Sequence, residues 1–256
     1  MSAVATAAPA GAVYGLRLAD DCFVLSHRLA EWSSRAPTLE EDVALTNIGL
    51  DLLGQARHLY QRVAELDGTG RSEDDYVFLR DERDFVNCLL VEHDNGDFAV
   101  TITRQLLFSA YQLELWKALR ESSDEGLAAV ATKALTETTY HLDHATHWML
   151  RLGDGTTESH QRMQTALDTL SPYTAELFER DGVIDELSDR GVAADPARLH
   201  EQWRLYVDGV LREAALQRPA STWTPTGGRR GLHTEQFGYM LAEMQHLHRS
   251  HPGARW

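Results

Sequence analysis

Two cysteines, Cys22 and Cys88, are all the thiol chemistry that 256 residues contain. They cannot supply a disulfide framework and lack the spacing of a metal finger. Both lie in apolar sequence and read as small core residues rather than nucleophiles. No apolar run approaches the roughly 18 residues that a membrane-spanning helix needs. Positive charge is also scarce, with 24 Lys and Arg against 39 Asp and Glu and a net charge of -15. That balance argues against nucleic acid and against an anionic membrane as partners. There is no Gly-x-Ser-x-Gly elbow, no phosphate-binding Gly-Lys-Ser/Thr loop and no strand-borne dinucleotide fingerprint. No stretch alternates apolar and polar residues for long enough to suggest a strand, and no solenoid repeat is visible. The opening MSAVATAAPAGAVYG lacks the basic start and apolar core of a signal peptide. It reads as a flexible lead-in over residues 1–15, ahead of one domain over 16–256. A reducing, cytoplasmic location is the expectation.

What the chain does have is helix, and 43% of its residues are hydrophobic, enough for a sizeable core. The central stretch is LEEDVALTNIGLDLLGQARHLYQRVAEL, residues 39–66. Leu45, Ile48, Leu52, Leu59 and Leu66 recur at helical spacing, with Gln55 where the stripe demands another apolar side chain. Thr38 can cap the start, Glu40, Glu41 and Asp42 suit the positive end of the dipole, and Asp67-Gly68 is a stop. A first helix is expected over residues 16–34, with Leu18, Cys22, Leu25, Leu29 and Trp32 on one face. A third is expected over 98–120, and a fourth from near Asp124 to the LGDGT at 152–156. Further helices fit 158–170, 196–217 and 233–249, with a Pro/Gly-rich loop at 218–231. Residues 67–97 form an acidic connection with one short helix near Tyr76 to Leu79. A link that long lets the third helix start at the same end as the second. Such a crossover is how ferritin-like bundles are wired, so the expected fold is all-α and ferritin-like.

Bundles of this kind house di-iron sites built from inward carboxylates and two Glu-x-x-His pairs. Here that spacing occurs once, at Glu243 and His246, in the last helix and outside the four; it reads as a contact between helices or between subunits. The inward positions of the central helix hold Leu52 and Gln55 instead. In YHLDHATHW, His141 and His144 share a face with Glu137 and Trp148. Glu137, His141 and His144 could bind zinc or iron, which makes an independent di-iron or single-metal oxidase the alternative function. Hydrogen-bonded histidines at a packed interface are the plainer reading. The connector, with DERD at 81–84, reads as a solvated face.

Several stretches resemble the phenylacetyl-CoA epoxidase family of multicomponent oxygenases. They are HRLAEWSSRAPTLEED (27–42), LTNIGLDLLGQAR (45–57), RDERDF (80–85), NGDFA (95–99), YHLDH (140–144), RLGDGTTESH (151–160) and HTEQFGYMLAEMQ (233–245). The resemblance is closest to the family's non-catalytic, ferritin-like structural subunit. It implies a paralogous catalytic partner that carries di-iron, a small accessory subunit, and a reductase delivering electrons from NADPH through FAD and an iron–sulfur centre. It implies no cofactor in this chain. Carried across from the catalytic sister, its metal ligands fall on Cys22, Leu52, Gln55, Ser109, Thr138 and His141, of which only His141 could still ligate. The outer faces of the first two helices are then the expected contact with the partner. Trp32 and Tyr60 would be its aromatic anchors, and Arg35 and Arg57 its polar contacts. A stand-alone helical storage or stress protein is the remaining, weaker reading.

Overall fold

The computed structural model describes residues 9–220 and 222–254, and among these it holds ten α-helices and no strand. In chain order they begin with α1 (Ala10–Ala30) and α2 (Leu39–Asp67). Two short helices follow, α3 (Glu73–Phe78) and α4 (Leu89–Glu92). Then come the long pair α5 (Phe98–Leu119) and α6 (Glu125–Gly153). An outer layer adds α7 (Thr157–Leu170), α8 (Gly182–Asp189), α9 (Pro196–Glu213) and α10 (Glu235–Ser250).

Cross-helix bonds fix the direction of each long helix. Cys22 meets Gln55 and Asp20 meets Tyr60, so α1 and α2 are antiparallel. Glu41 meets His144 and Arg62 meets Asp124, so α2 and α6 are antiparallel as well. Trp32 reaches Thr101 while Cys22 reaches Gln112, which runs α5 against α1. The link from α2 to α5 therefore travels the length of the bundle, as the ferritin-like wiring requires.

The caps expected for α2 form. Thr38 Oγ1 accepts from the Glu41 N–H at 3.4 Å, and Gly68 closes the helix at φ 63°. Helix α1 starts at Ala10, six residues earlier than the periodicity of its apolar stripe suggests. Residues 10–15, expected to be a loose lead-in, form its first turns and bury Ala12, Tyr14 and Gly15 against the bundle. The small residues there pack closely against α2, which a search for large apolar side chains overlooks. Residues 1–8 of the expected lead-in lie outside the described residues. The helix ends at Ala30, and Ser34 at φ 64° turns the chain toward α2.

The crossover departs most from expectation. Residues 81–84 are exposed, but Tyr76, Phe85, Cys88, Leu90 and Glu92 are all buried. The segment is a folded strap over α1, and two of its charges, Arg80 and Glu92, pair with Asp20 and His233 inside the protein. It is held from above by the 218–231 loop, where a Cβ on Gly228 would sit 2.2 Å from the Asn87 carbonyl oxygen. Neither backbone can yield there, so Gly228→Ala should lower stability by about 1–3 kcal/mol through overpacking. A urea midpoint unchanged from wild type would refute that close approach.

Candidate functional site at the centre of the bundle

Every position that the resemblance sets against a metal ligand is buried: Cys22, Leu52, Gln55, Ser109, Thr138 and His141 are each 3% exposed or less. Helix periodicity brings them inward from α1, α2, α5 and α6. The structure connects only some of them. Gln112 Nε2 donates to Cys22 Sγ at 3.3 Å, and the Cys22 thiol points to Gln55 Oε1 at 3.7 Å. Gln55 Nε2 then donates to Glu137 Oε2 at 3.0 Å. This relay crosses all four long helices, and Gln112 rather than Ser109 is its member from α5. Sequence reading missed Gln112, although it lies on the same helix face as Gln105 and Ser109. Burial pushes the Cys22 thiol well above its ordinary pKa, so it stays protonated.

His141 turns out of the relay. Its Nε2 hydrogen-bonds Asp51 Oδ2 at 3.1 Å, and His144 Nε2 bonds Glu41 Oε2 at 2.8 Å. The trio Glu137, His141 and His144 thus engages three different residues of α2 and does not converge. His147 is exposed on α6, and Glu243 and His246 are both exposed on α10. Among the described residues, no three His, Cys, Asp or Glu side chains are placed to hold a metal ion. A di-iron centre does not fit the bundle centre: Leu52 fills one ligand position with hydrocarbon, and thiol, amide and hydroxyl groups occupy others. Irons need carboxylates to neutralise and bridge them.

Of the expected interface residues, the two aromatics bond inside the chain and the two arginines are exposed. Trp32 is half-buried, donates Nε1–H to Thr101 Oγ1 at 2.9 Å and packs edge-on against Phe98. Tyr60 is 1% exposed, donates to Asp20 Oδ1 at 2.6 Å and stacks on Tyr76. It holds α1, α2 and the strap together and presents nothing to a partner. Arg57 is exposed and pairs with Glu73 at 2.9 Å; Arg35 is exposed beside Glu31, Tyr239 and Glu243.

A second polar layer, unforeseen from sequence, binds strap and C-terminal loop to α1. Asp20 accepts from Arg80 Nη1 at 3.0 Å, from Tyr60 and from the Val86 N–H at 2.8 Å. Asp21 receives a bidentate Arg229 at 2.9 and 2.8 Å and the Cys88 N–H at 2.7 Å. Burial works against the Arg229 charge, and the Asp21 carboxylate outweighs it, so the guanidinium pKa is raised. Glu176 accepts from the Leu89 N–H at 2.6 Å and the Gly227 N–H at 2.7 Å. His233 lies between two acceptors, Glu92 Oε2 and the Phe85 carbonyl, each at 2.9 Å. As an imidazolium it donates from both ring nitrogens and satisfies both acceptors. Burial opposes that charge, but the Glu92 contact prevails and raises the pKa. The one sequence signal was Asp20-Asp21, two acids interrupting the apolar face of α1.

Two antiparallel helix pairs wired by a full-length crossover define a ferritin-like bundle, here with a centre of amide, thiol and hydrocarbon. The chain belongs to the phenylacetic acid catabolic protein family, whose model matches residues 3–256. It acts in phenylacetate catabolism. It is 51% identical over 243 residues to one of the subunits of 1,2-phenylacetyl-CoA epoxidase from Escherichia coli (strain K12), covering 95% of this chain and 98% of that protein. No described helix is long and apolar enough to cross a membrane.

Proposed function

We propose that this chain is the metal-free structural subunit of an oxygenase that epoxidises phenylacetyl-CoA. In this reading it pairs with a paralogous di-iron subunit and keeps that subunit in its active shape. FAD, an iron–sulfur centre and NADPH act through the reductase of the same complex, which also includes a small accessory subunit. The observation that carries the reading is the refilled bundle centre, where Leu52 is fully buried and Gln112, Cys22, Gln55 and Glu137 bond to one another. A bundle that lacks chemistry of its own but keeps an intact, ordered core suits a supporting role. The similarity to an epoxidase subunit supports the choice of complex.

The test is to purify the chain alone and together with the di-iron subunit, then quantify iron and activity in each. The expected result is no stoichiometric iron and no oxygenase activity in the isolated chain, with both appearing in the pair. Close to two irons per isolated chain would overturn the reading in favour of the oxidase alternative.

A further inference from the structure

Helix α2 carries two apolar stripes. One buries Leu45, Ile48, Leu52 and Leu59 in the core. The other lies on the outer face, where Leu39, Val43, Leu50 and Leu53 are between 42% and 77% exposed. Their spacing of four, seven and three residues places them on a single face. The row spans about 21 Å at 1.5 Å per residue. Tyr140 is half-exposed on the neighbouring α6, with its ring 6.3 Å from that of His144, which bonds Glu41 of α2. Four exposed apolar side chains on one helix face, with an exposed Tyr140 on the neighbouring helix, are more than isolated surface leucines.

Charge decides what covers it. Along the strip the flanking groups are acidic: Glu40, Asp42 and Asp51 on α2 and Asp143 on α6. Arg57, beyond Leu53, is already paired with Glu73. A second copy of this chain would set acidic flank against acidic flank, on a molecule of net charge -15. A straight apolar stripe along a helix matches another helix surface better than it matches an extended peptide, which would need a sheet edge or a groove.

We propose that the Leu39–Leu53 stripe and Tyr140 dock an apolar helix pair flanked by lysine and arginine on the di-iron subunit. This rests on the pairing proposed above and assigns it a surface, displacing Trp32 and Tyr60 as anchors. At the centre of such a contact the leucines exclude water around an aromatic anchor such as Tyr140, and a charge placed among them would be buried without a partner.

The experiment uses the co-purified complex. Leu50→Asp combined with Leu53→Asp changes exposed positions only, and circular dichroism checks that helix content is kept. The pair should bind the di-iron subunit about 100-fold more weakly or worse. Leu205→Asp, at an exposed position on α9, should stay within about threefold of wild type. A benzophenone side chain at Leu50 should cross-link to the di-iron subunit. Undiminished binding by the double variant, an equal loss in Leu205→Asp, or a cross-link from Leu50 to a second copy would each overturn the assignment. The first two of these results leave the pairing itself intact, whereas a wild-type chain that fails to bind the di-iron subunit removes the pairing too.

Discussion

Asp20→Ala should lower the stability of this protein by about 3–5 kcal/mol, the usual result of leaving one member of a buried ion pair alone. Asp20 is fully buried, and Arg80 across from it is 6% exposed. Removing the carboxylate strands a guanidinium, and it also deprives the Tyr60 hydroxyl and the Val86 N–H of their acceptor. For a chain of this length the melting temperature should fall by about 6–20 °C. The double substitution Asp20→Ala with Arg80→Met removes both charges and should regain about half of that loss or more, since an apolar pair has no ion to desolvate. A double variant no more stable than Asp20→Ala, in thermal melts at neutral pH, would show that the cost is one of packing and not of stranded charge.

Leu52→Glu should cost about 2–5 kcal/mol, although it restores the residue type that a di-iron bundle uses. Leu52 is fully buried on the inner stripe of α2, so the new carboxyl must stay protonated or find a partner. Burial raises its pKa above the unfolded value of about 4.3. Below that unfolded value both states are protonated and ionisation contributes no penalty. Above it the deficit grows, reaching its full size once pH passes the raised folded pKa. Denaturant midpoints at pH 5 and pH 8 should therefore show the variant further below wild type at pH 8. Equal deficits at the two values would mean that the carboxylate reaches solvent or a cation.

The long helices were legible because their information is local. Thr38, the acidic first turn, the inner stripe and Gly68 of α2 all lie within one stretch of chain, and each appears where the spacing places it. The eight-residue α8 was not, because two turns leave too little periodicity to separate from a loop. The six positions of the bundle centre were legible as buried. Their bonding was not, because Gln112 and Cys22 come from helices 90 residues apart in sequence. Tyr60 misled for the same reason: on its own helix it is an aromatic beside Leu59, and only Asp20 on another helix explains its burial. The outer stripe of α2 was legible in principle, but the stronger inner stripe masked it. Arg80 and Glu92 of the crossover read as solvated because their partners, Asp20 and His233, lie on segments far away in sequence.

Arg229 closes onto Asp21 across 208 residues of chain. During synthesis at roughly 5–20 residues per second, α1 leaves the ribosome about 10–40 seconds before its guanidinium partner has been made. Until then Asp21 sits on a helix that can pair with α2 but cannot be sealed, and the strap over it has nothing to hold it down. A nascent chain stopped short of Gly227 would present that open face to chaperones and proteases. Synthesis of the segment that carries Gly227 and Arg229 is thus the moment at which the cell receives a protected molecule.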